Sequence, residues 1–173
     1  MHFYRPTWAE INLSNLAHNY TLIKKMVSGG TKVMACVKAD AYGHGIIPVS
    51  KRLESLNIDY LSVASVDEAV NLRKSGIKTP VLVLGAILKS DIEPLLKYNI
   101  TPTLCDRDIA LAISAFCCRA KKNKKVHVKI DTGMGRIGVL YEDAFNFVKH
   151  IRGLKNISIE GIFTNLPCAD SNP

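Results

Sequence analysis

Two short segments of this chain hold residue types that can do chemistry. The first is Val37-Lys38-Ala39-Asp40-Ala41-Tyr42-Gly43-His44-Gly45. Lysine is seldom enclosed in a protein without a partner, yet Lys38 directly follows an apolar run that reads as a buried strand. Desolvation penalises an ammonium and lowers its pKa. A neutral amine can then attack a carbonyl carbon and form a Schiff base. The alternative for the same position is a lysine whose stem packs while its charge reaches water. Tyr42, four residues on, offers a phenol for a phosphate oxygen. Gly43 and Gly45 permit a tight turn and close backbone approach.

The second segment is Lys129-Ile130-Asp131-Thr132-Gly133-Met134-Gly135-Arg136-Ile137-Gly138. Gly133, Gly135 and Gly138 have the spacing of a dinucleotide fingerprint. That fingerprint requires the glycines to open a helix directly after a strand, with an acidic residue about 20 positions on. Here Asp131 and Thr132 intervene, the next helix is predicted near Tyr141, and Glu160 falls inside a strand. The dinucleotide reading is therefore weak. Arg136 offers a different chemistry, since a guanidinium beside a glycine turn can clamp a carboxylate through two parallel hydrogen bonds. A surface arginine in a salt bridge is the plain alternative.

These segments need a scaffold, and the hydrophobic pattern supplies one by alternating short strand-like runs with helical stretches. Strands are predicted at Lys32–Val37, Tyr60–Val63, Pro80–Leu84, Ile100–Leu104, Lys125–Ile130 and Ile157–Ile162. Pro102 argues against full pairing of the fourth. Asn12 is placed to cap an opening helix with Leu13, Leu16, Ala17, Tyr20 and Ile23 on one face. Ser65 and Glu68 have capping-box spacing, as do Ser90 and Glu93. Asp106 is placed to cap a helix running to about Lys121, and Gly76 to end the helix that carries Leu72. Alternating strands and helices imply a parallel α/β fold, either an open doubly wound sheet or a (β/α) barrel. In both, ligands bind at the carboxyl ends of the strands, where Lys38 lies. A barrel needs eight strands and about six are legible, so the expected architecture is an incomplete barrel over 1–173 with two unpaired edges.

Composition narrows the functional classes. The chain has 173 residues, 47% hydrophobic and 22% charged, within the range of globular proteins. No apolar run reaches roughly 18 residues, and the amino terminus lacks a signal-peptide core, so a cytoplasmic protein with no membrane partner is expected. The five cysteines form no Cys-x-x-Cys pair, and the five histidines have no His-Glu-x-x-His spacing. Reduced thiols and no metal site are expected. The net charge of +8 comes largely from Arg119-Ala120-Lys121-Lys122-Asn123-Lys124-Lys125. That run reads as a solvated connection, not a nucleic-acid surface, since no aromatic residues interleave it. Positive charge also favours encounter with small anions.

Together the segments resemble the alanine racemase family. Val37–Gly45 resembles its signature around the cofactor lysine, and Lys129–Gly138 its substrate-arginine segment. Arg5-Pro6-Thr7-Trp8-Ala9-Glu10-Ile11-Asn12-Leu13 is similar to its opening, Val83-Leu84-Gly85 to the end of its third strand, and Gly161–Asp170 to a later segment. The resemblance implies a pyridoxal 5'-phosphate barrel of the alanine racemase N-terminal type. It also implies interconversion of L- and D-alanine, supplying D-alanine for peptidoglycan. Lys38 would hold the cofactor and act as a base at the substrate α-carbon. Tyr42 would bind the phosphate, Leu84 would line the cofactor, and Arg136 would bind the substrate carboxylate. Lys129 matches a lysine that is carbamylated in some members and orients that arginine.

The chain also departs from the pattern. Asn165 occupies a cofactor-side position where the family usually has histidine, and Leu166-Pro167 replaces a usual Phe-Ala pair. Members are about twice as long. The further half carries the last strands, much of the phosphate cup, the arginine facing the ring nitrogen and a β-rich C-terminal domain that is absent here. It also carries a tyrosine serving as the second base across a homodimer interface. The expected function is that of a truncated racemase, inactive or weakly active alone. A non-catalytic or decayed cofactor-binding barrel, or one serving cofactor homeostasis, is the alternative.

Overall fold

The computed structural model describes residues 7–171. Arg5 and Pro6 of the opening segment, and Asn172 and Pro173 at the other end, lie outside them. The strands are β1 (Met34–Cys36), β2 (Tyr60–Val63), β3 (Val81–Val83), β4 (Thr101–Leu104), β5 (Lys124–Asp131), β6 (Val139–Leu140) and β7 (Ile157–Phe163). The helices are α1 (Leu13–Met26), α2 (Lys38–Gly43), α3 (Ile46–Ser55), α4 (Val66–Lys74), α5 (Ile92–Lys97), α6 (Arg107–Ala120) and α7 (Ala144–Arg152). All strand pairs are parallel, in the order β1-β2-β3-β4-β5, with β7 beside β5 and the short β6 at the carboxyl end of β5. The six predicted strands form the wall, and the two-residue β6 is an addition that hydropathy did not mark.

The sheet curls. Four strand spacings of about 4.8 Å separate β2 from β7, roughly 19 Å in a flat sheet. Yet the Tyr60 hydroxyl donates to Glu160 Oε2 at 3.0 Å and meets Thr101 Oγ1 at 2.9 Å. Only a strongly curved wall brings the two side chains together, so the chain forms an incomplete (β/α) barrel. Glu160 is thus a partner of Tyr60 and of Lys125, whose Nζ lies 2.6 Å away, and not a ribose ligand of a dinucleotide site. Burial is the main cause that pushes the Tyr60 phenol up to about 12.

Helix faces are built as the spacing predicts. Val49 and Leu53 of α3, Ala69 and Leu72 of α4, Ala110, Ile113 and Cys117 of α6, and Phe147 and Ile151 of α7 recur every three or four residues. All are buried in one cluster with Leu61, Val63, Val81 and Val83. Each large apolar side chain removed from water contributes about 1.5–3 kcal/mol. The caps at Asn12, Ser65 and Asp106 are formed, and Gly76, at φ +88°, follows α4. The turn before α5 differs from expectation. Asp91, not a Ser90–Glu93 box, accepts the Leu88 N–H at 2.8 Å. Pro102 is also central, between β3 and β5, in a fully buried strand. It pairs with Val83, and the ladder to β5 starts one residue later at Thr103↔His127. The missing donor therefore falls where that ladder begins.

The basic run is not wholly solvated. Lys124 is 3% exposed, and its Nζ donates to the Leu95 carbonyl at 3.1 Å and to Asn99 Oδ1 at 3.4 Å. Burial pushes this ammonium down to about 8. A lysine pKa lowered on folding means that the unfolded chain binds more protons between about pH 8 and 10.4, so stability rises with pH across that window. Urea unfolding should show the wild-type chain gaining about 1.5 kcal/mol more than Lys124→Met between pH 7.5 and 9.5. Equal gains in the two proteins would show that Lys124 is charged without penalty. No described helix is long and apolar enough to cross a membrane.

Candidate functional site

The carboxyl ends of the strands gather the chemistry, as barrel geometry dictates. Segment α2 follows β1, Leu84 follows β3, Cys105 follows β4, the loop carrying Arg136 follows β5, and Thr164 and Asn165 follow β7.

Segment α2 is a left-handed turn. Ala39, Asp40, Ala41 and Tyr42 have φ of 51–54°, and Gly43 and Gly45 follow at +84° and +86°. The Asp40 carboxylate accepts the Ile46 N–H at 2.7 Å, at the start of α3. Lys38, at the head of this turn, is half-buried, so the enclosed lysine expected there is only partly enclosed. Its Nζ lies 6.0 Å from the centre of the Tyr42 ring. Tyr42 is exposed, and its hydroxyl lies 3.5 Å from the Cys36 sulfur, a contact that raises the phenol pKa.

The fully enclosed lysine at this end is Lys129, 5% exposed, with Nζ 5.7 Å from the centre of the Phe163 ring. Burial pushes its ammonium below the ordinary lysine range. The positive charge of Arg136 pushes it further, and that of Lys38 adds to this, while Cys105 and Asp131 oppose it. Lys38, Lys129 and Arg136 thus form one electrostatic group. Asp131 is turned to a structural task. Its Oδ1 accepts the N–H groups of Gly133 at 2.9 Å and Gly135 at 3.1 Å, which hold the carboxyl below its usual range.

Those bonds fold the glycine segment into a loop that returns as β6 beside β5, with Ile130 opposite Val139. The glycines open no helix, since α7 begins only at Ala144, which removes the dinucleotide reading. Arg136 is exposed on this loop. Thr132 and Thr164 hydroxyls meet at 2.8 Å, and Asn165 Nδ2 contacts the Met134 sulfur, so the chain after β7 is tied to the Arg136 loop. Leu84 is half-buried, and its N–H donates to the Val63 carbonyl at 2.8 Å.

Two contributors were not recognised as site residues from sequence. Asp131 carried only a strand-end position as a signal. Glu68 was legible as a helix cap, but its Oε1 also accepts the Ala39 N–H at 2.7 Å, next to Lys38. A cavity of about 540 Å³ lies along the open side of β1. It touches the site at Cys36, Tyr42 and His44, but Lys38, Lys129 and Arg136 do not line it. The charge group, not this cavity, therefore defines the candidate site. It holds three cationic side chains, while the carboxylates of Asp131 and Glu68 are engaged by backbone amides. Such a site suits a ligand bearing phosphate or carboxylate. The amine of Lys38 and the phenol of Tyr42 fit an aldehyde cofactor with a phosphate arm.

Comparison with known proteins bears on the family and the fold. Residues 11–173 match the family described as alanine racemase, N-terminal domain. The chain is 46% identical over 166 residues to an alanine racemase of Halothermothrix orenii, covering 96% of this chain and 44% of that protein. It is 43% identical to one of Carboxydothermus hydrogenoformans, covering 96% and 45%. An alanine racemase structure from Clostridium difficile 630 superposes with a TM-score of 0.92 at 39% identity, covering 98% of this chain and 47% of that one. The Bacillus anthracis enzyme with bound L-Ala-P gives a TM-score of 0.87 at 33% identity, covering 98% and 44%. The chain thus spans less than half the length of these relatives.

Proposed function

The chain belongs to the alanine racemase N-terminal domain family, and from that premise we propose that it is the pyridoxal-phosphate-holding part of an alanine racemase, with Lys38 as the attachment lysine. The observation that carries this reading is that Lys38, at the head of the left-handed turn, and Arg136, on the glycine loop, both lower the pKa of the enclosed Lys129. Lys38 would hold the cofactor covalently. Tyr42 would donate to its phosphate, and Leu84 and Asn165 would line it. Arg136 would pair with the substrate carboxylate, a bidentate contact that fixes the α-carbon. The depressed pKa of Lys129 keeps more of its amine neutral, the form that carbamylation requires. When bound, the cofactor would supply a sink for the electron pair left at the α-carbon. The Nζ of Lys38 would take or return the α-proton on one face only.

Racemisation needs a proton-transferring group on each face. We place the second in the further half of the relatives, supplied by the partner in a homodimer. This chain alone is then silent or nearly so in converting L- to D-alanine. The complete enzyme would work in the cytoplasm and supply D-alanine for peptidoglycan.

The test is to incubate the full chain with pyridoxal phosphate, reduce with borohydride and map the adduct by mass spectrometry. D-alanine formation from L-alanine is followed in parallel. A stoichiometric adduct on Lys38 with little or no D-alanine is the expected result. Scattered labelling without Lys38 would overturn the cofactor reading in favour of a decayed barrel. Efficient racemisation would overturn the assignment of a single base.

A further inference from the structure

The left-handed turn after Lys38 is costly. For L-residues the left-handed helical conformation costs roughly 1–2 kcal/mol per residue, and four consecutive non-glycine residues, Ala39 to Tyr42, adopt it. Such strain persists only where surrounding structure over-determines it. Most of the bonds that hold the turn are local. Ala41 N–H donates to the Val37 carbonyl at 2.9 Å, Gly45 N–H to the Asp40 carbonyl at 2.9 Å, and Ile46 N–H to Asp40 Oδ1 at 2.7 Å. A different bond comes from another element. Glu68, in the first turn of α4, accepts the Ala39 N–H through Oε1 at 2.7 Å. Its other oxygen accepts the Ala64 N–H at 2.7 Å and the Ser65 N–H at 3.4 Å, at the end of β2. One carboxylate therefore clamps the residue after Lys38 to the end of the neighbouring strand.

We propose that Glu68 is the positioning residue for Lys38. By bonding the Ala39 N–H from α4, it holds the left-handed turn in the conformation that presents the lysine amine to an aldehyde. This inference rests on the reading of Lys38 as the attachment lysine. Both oxygens of Glu68 face N–H donors. An amide in its place keeps the length and one acceptor; two donors, Ala64 and Ser65, hold that acceptor, so the NH2 turns toward the Ala39 N–H and the attachment to α2 breaks. Ser65 is the control. Its Oγ accepts the Glu68 N–H at 3.3 Å and completes the helix cap without touching α2.

The experiment compares wild type, Glu68→Gln and Ser65→Ala by three measurements. These are amide hydrogen exchange at Ala39 without cofactor, the rate of pyridoxal-phosphate attachment to Lys38, and the urea midpoint. Glu68→Gln is expected to speed Ala39 exchange and slow attachment at Lys38 by about tenfold each, as loss of a charge-assisted bond predicts. Ser65→Ala should lower the urea midpoint yet leave both rates within about twofold. Wild-type attachment rates in Glu68→Gln, or losses in Ser65→Ala that match those in Glu68→Gln, would overturn the positioning role. Absence of a Lys38 adduct in the wild type would instead overturn the cofactor reading itself.

Discussion

Lys38→Ala is expected to abolish stoichiometric attachment of pyridoxal phosphate while leaving the fold intact. Lys38 is not among the positive-φ residues, so alanine there adds no backbone strain. The side chain is half-buried, and the local core residues are its neighbours Val37 and Ala41, at 1% and 6% exposure. The stability change should stay within about 1 kcal/mol in urea unfolding. The chemical change should be complete, because attachment needs a neutral amine at a fixed position. The informative competitor is Lys129, whose ammonium is destabilised by burial and by its cationic neighbours. In Lys38→Ala its amine is still present at the same end of the barrel, yet enclosed. Borohydride trapping followed by peptide mapping distinguishes the two. Loss of the stoichiometric adduct supports Lys38. An adduct of undiminished yield on Lys129 would show that the site had been assigned to the wrong lysine.

Gly138→Ala should destabilise the chain by about 3 kcal/mol and disorganise the Arg136 loop. Gly138 has φ +142°, and an added Cβ would meet Asp131 N at 2.6 Å and Ile130 C at 2.9 Å. Both are backbone atoms of β5, so no flexible side-chain end can move aside. Relief requires β6 to leave β5, which pulls on Asp131 and hence on the Gly133 and Gly135 amides that it holds. Gly135→Ala is the matched control. Gly135 has φ +64° but open space around its Cβ direction, so alanine should cost only about 1 kcal/mol. Urea unfolding of the two variants should differ by about 2 kcal/mol. Equal losses would mean that the close approach of Gly138 to β5 is not what shapes the loop.

The same segment separates what local chemistry could reveal from what it could not. Its three glycines have the spacing of a phosphate turn, although the two residues between strand and glycines favour a loop. The choice between them depends on where the chain goes next, and the pairing of Val139 with Ile130 decides it. Pro102 is similar. A proline argues for an edge in general, but the register places it where the ladder to β5 has yet to start.

The caps at Asn12, Ser65 and Asp106, the helix faces and the six wall strands were legible because each depends on groups a few residues apart. Lys38, Tyr42 and Arg136 stood out because their residue types and glycine neighbours restrict what such a segment can do. Long-range bonds and enclosure left no mark of that kind. Ala39 to Tyr42 have no strong left-handed preference, and Glu68, 29 positions from Ala39, helps to hold them there. Lys124 sits in a basic run that looks solvated, yet it is buried against the end of α5. Lys129 was marked by the resemblance of its segment to a family motif, but its lowered pKa arises from burial and from Arg136 and Lys38 on separate segments. Backbone periodicity and capping act within one element and can be read along the chain. Desolvation, charge coupling and strain arise only when the curved wall brings separate strand ends together. The strained turn that follows Lys38, held from α4 by Glu68, is one such long-range effect.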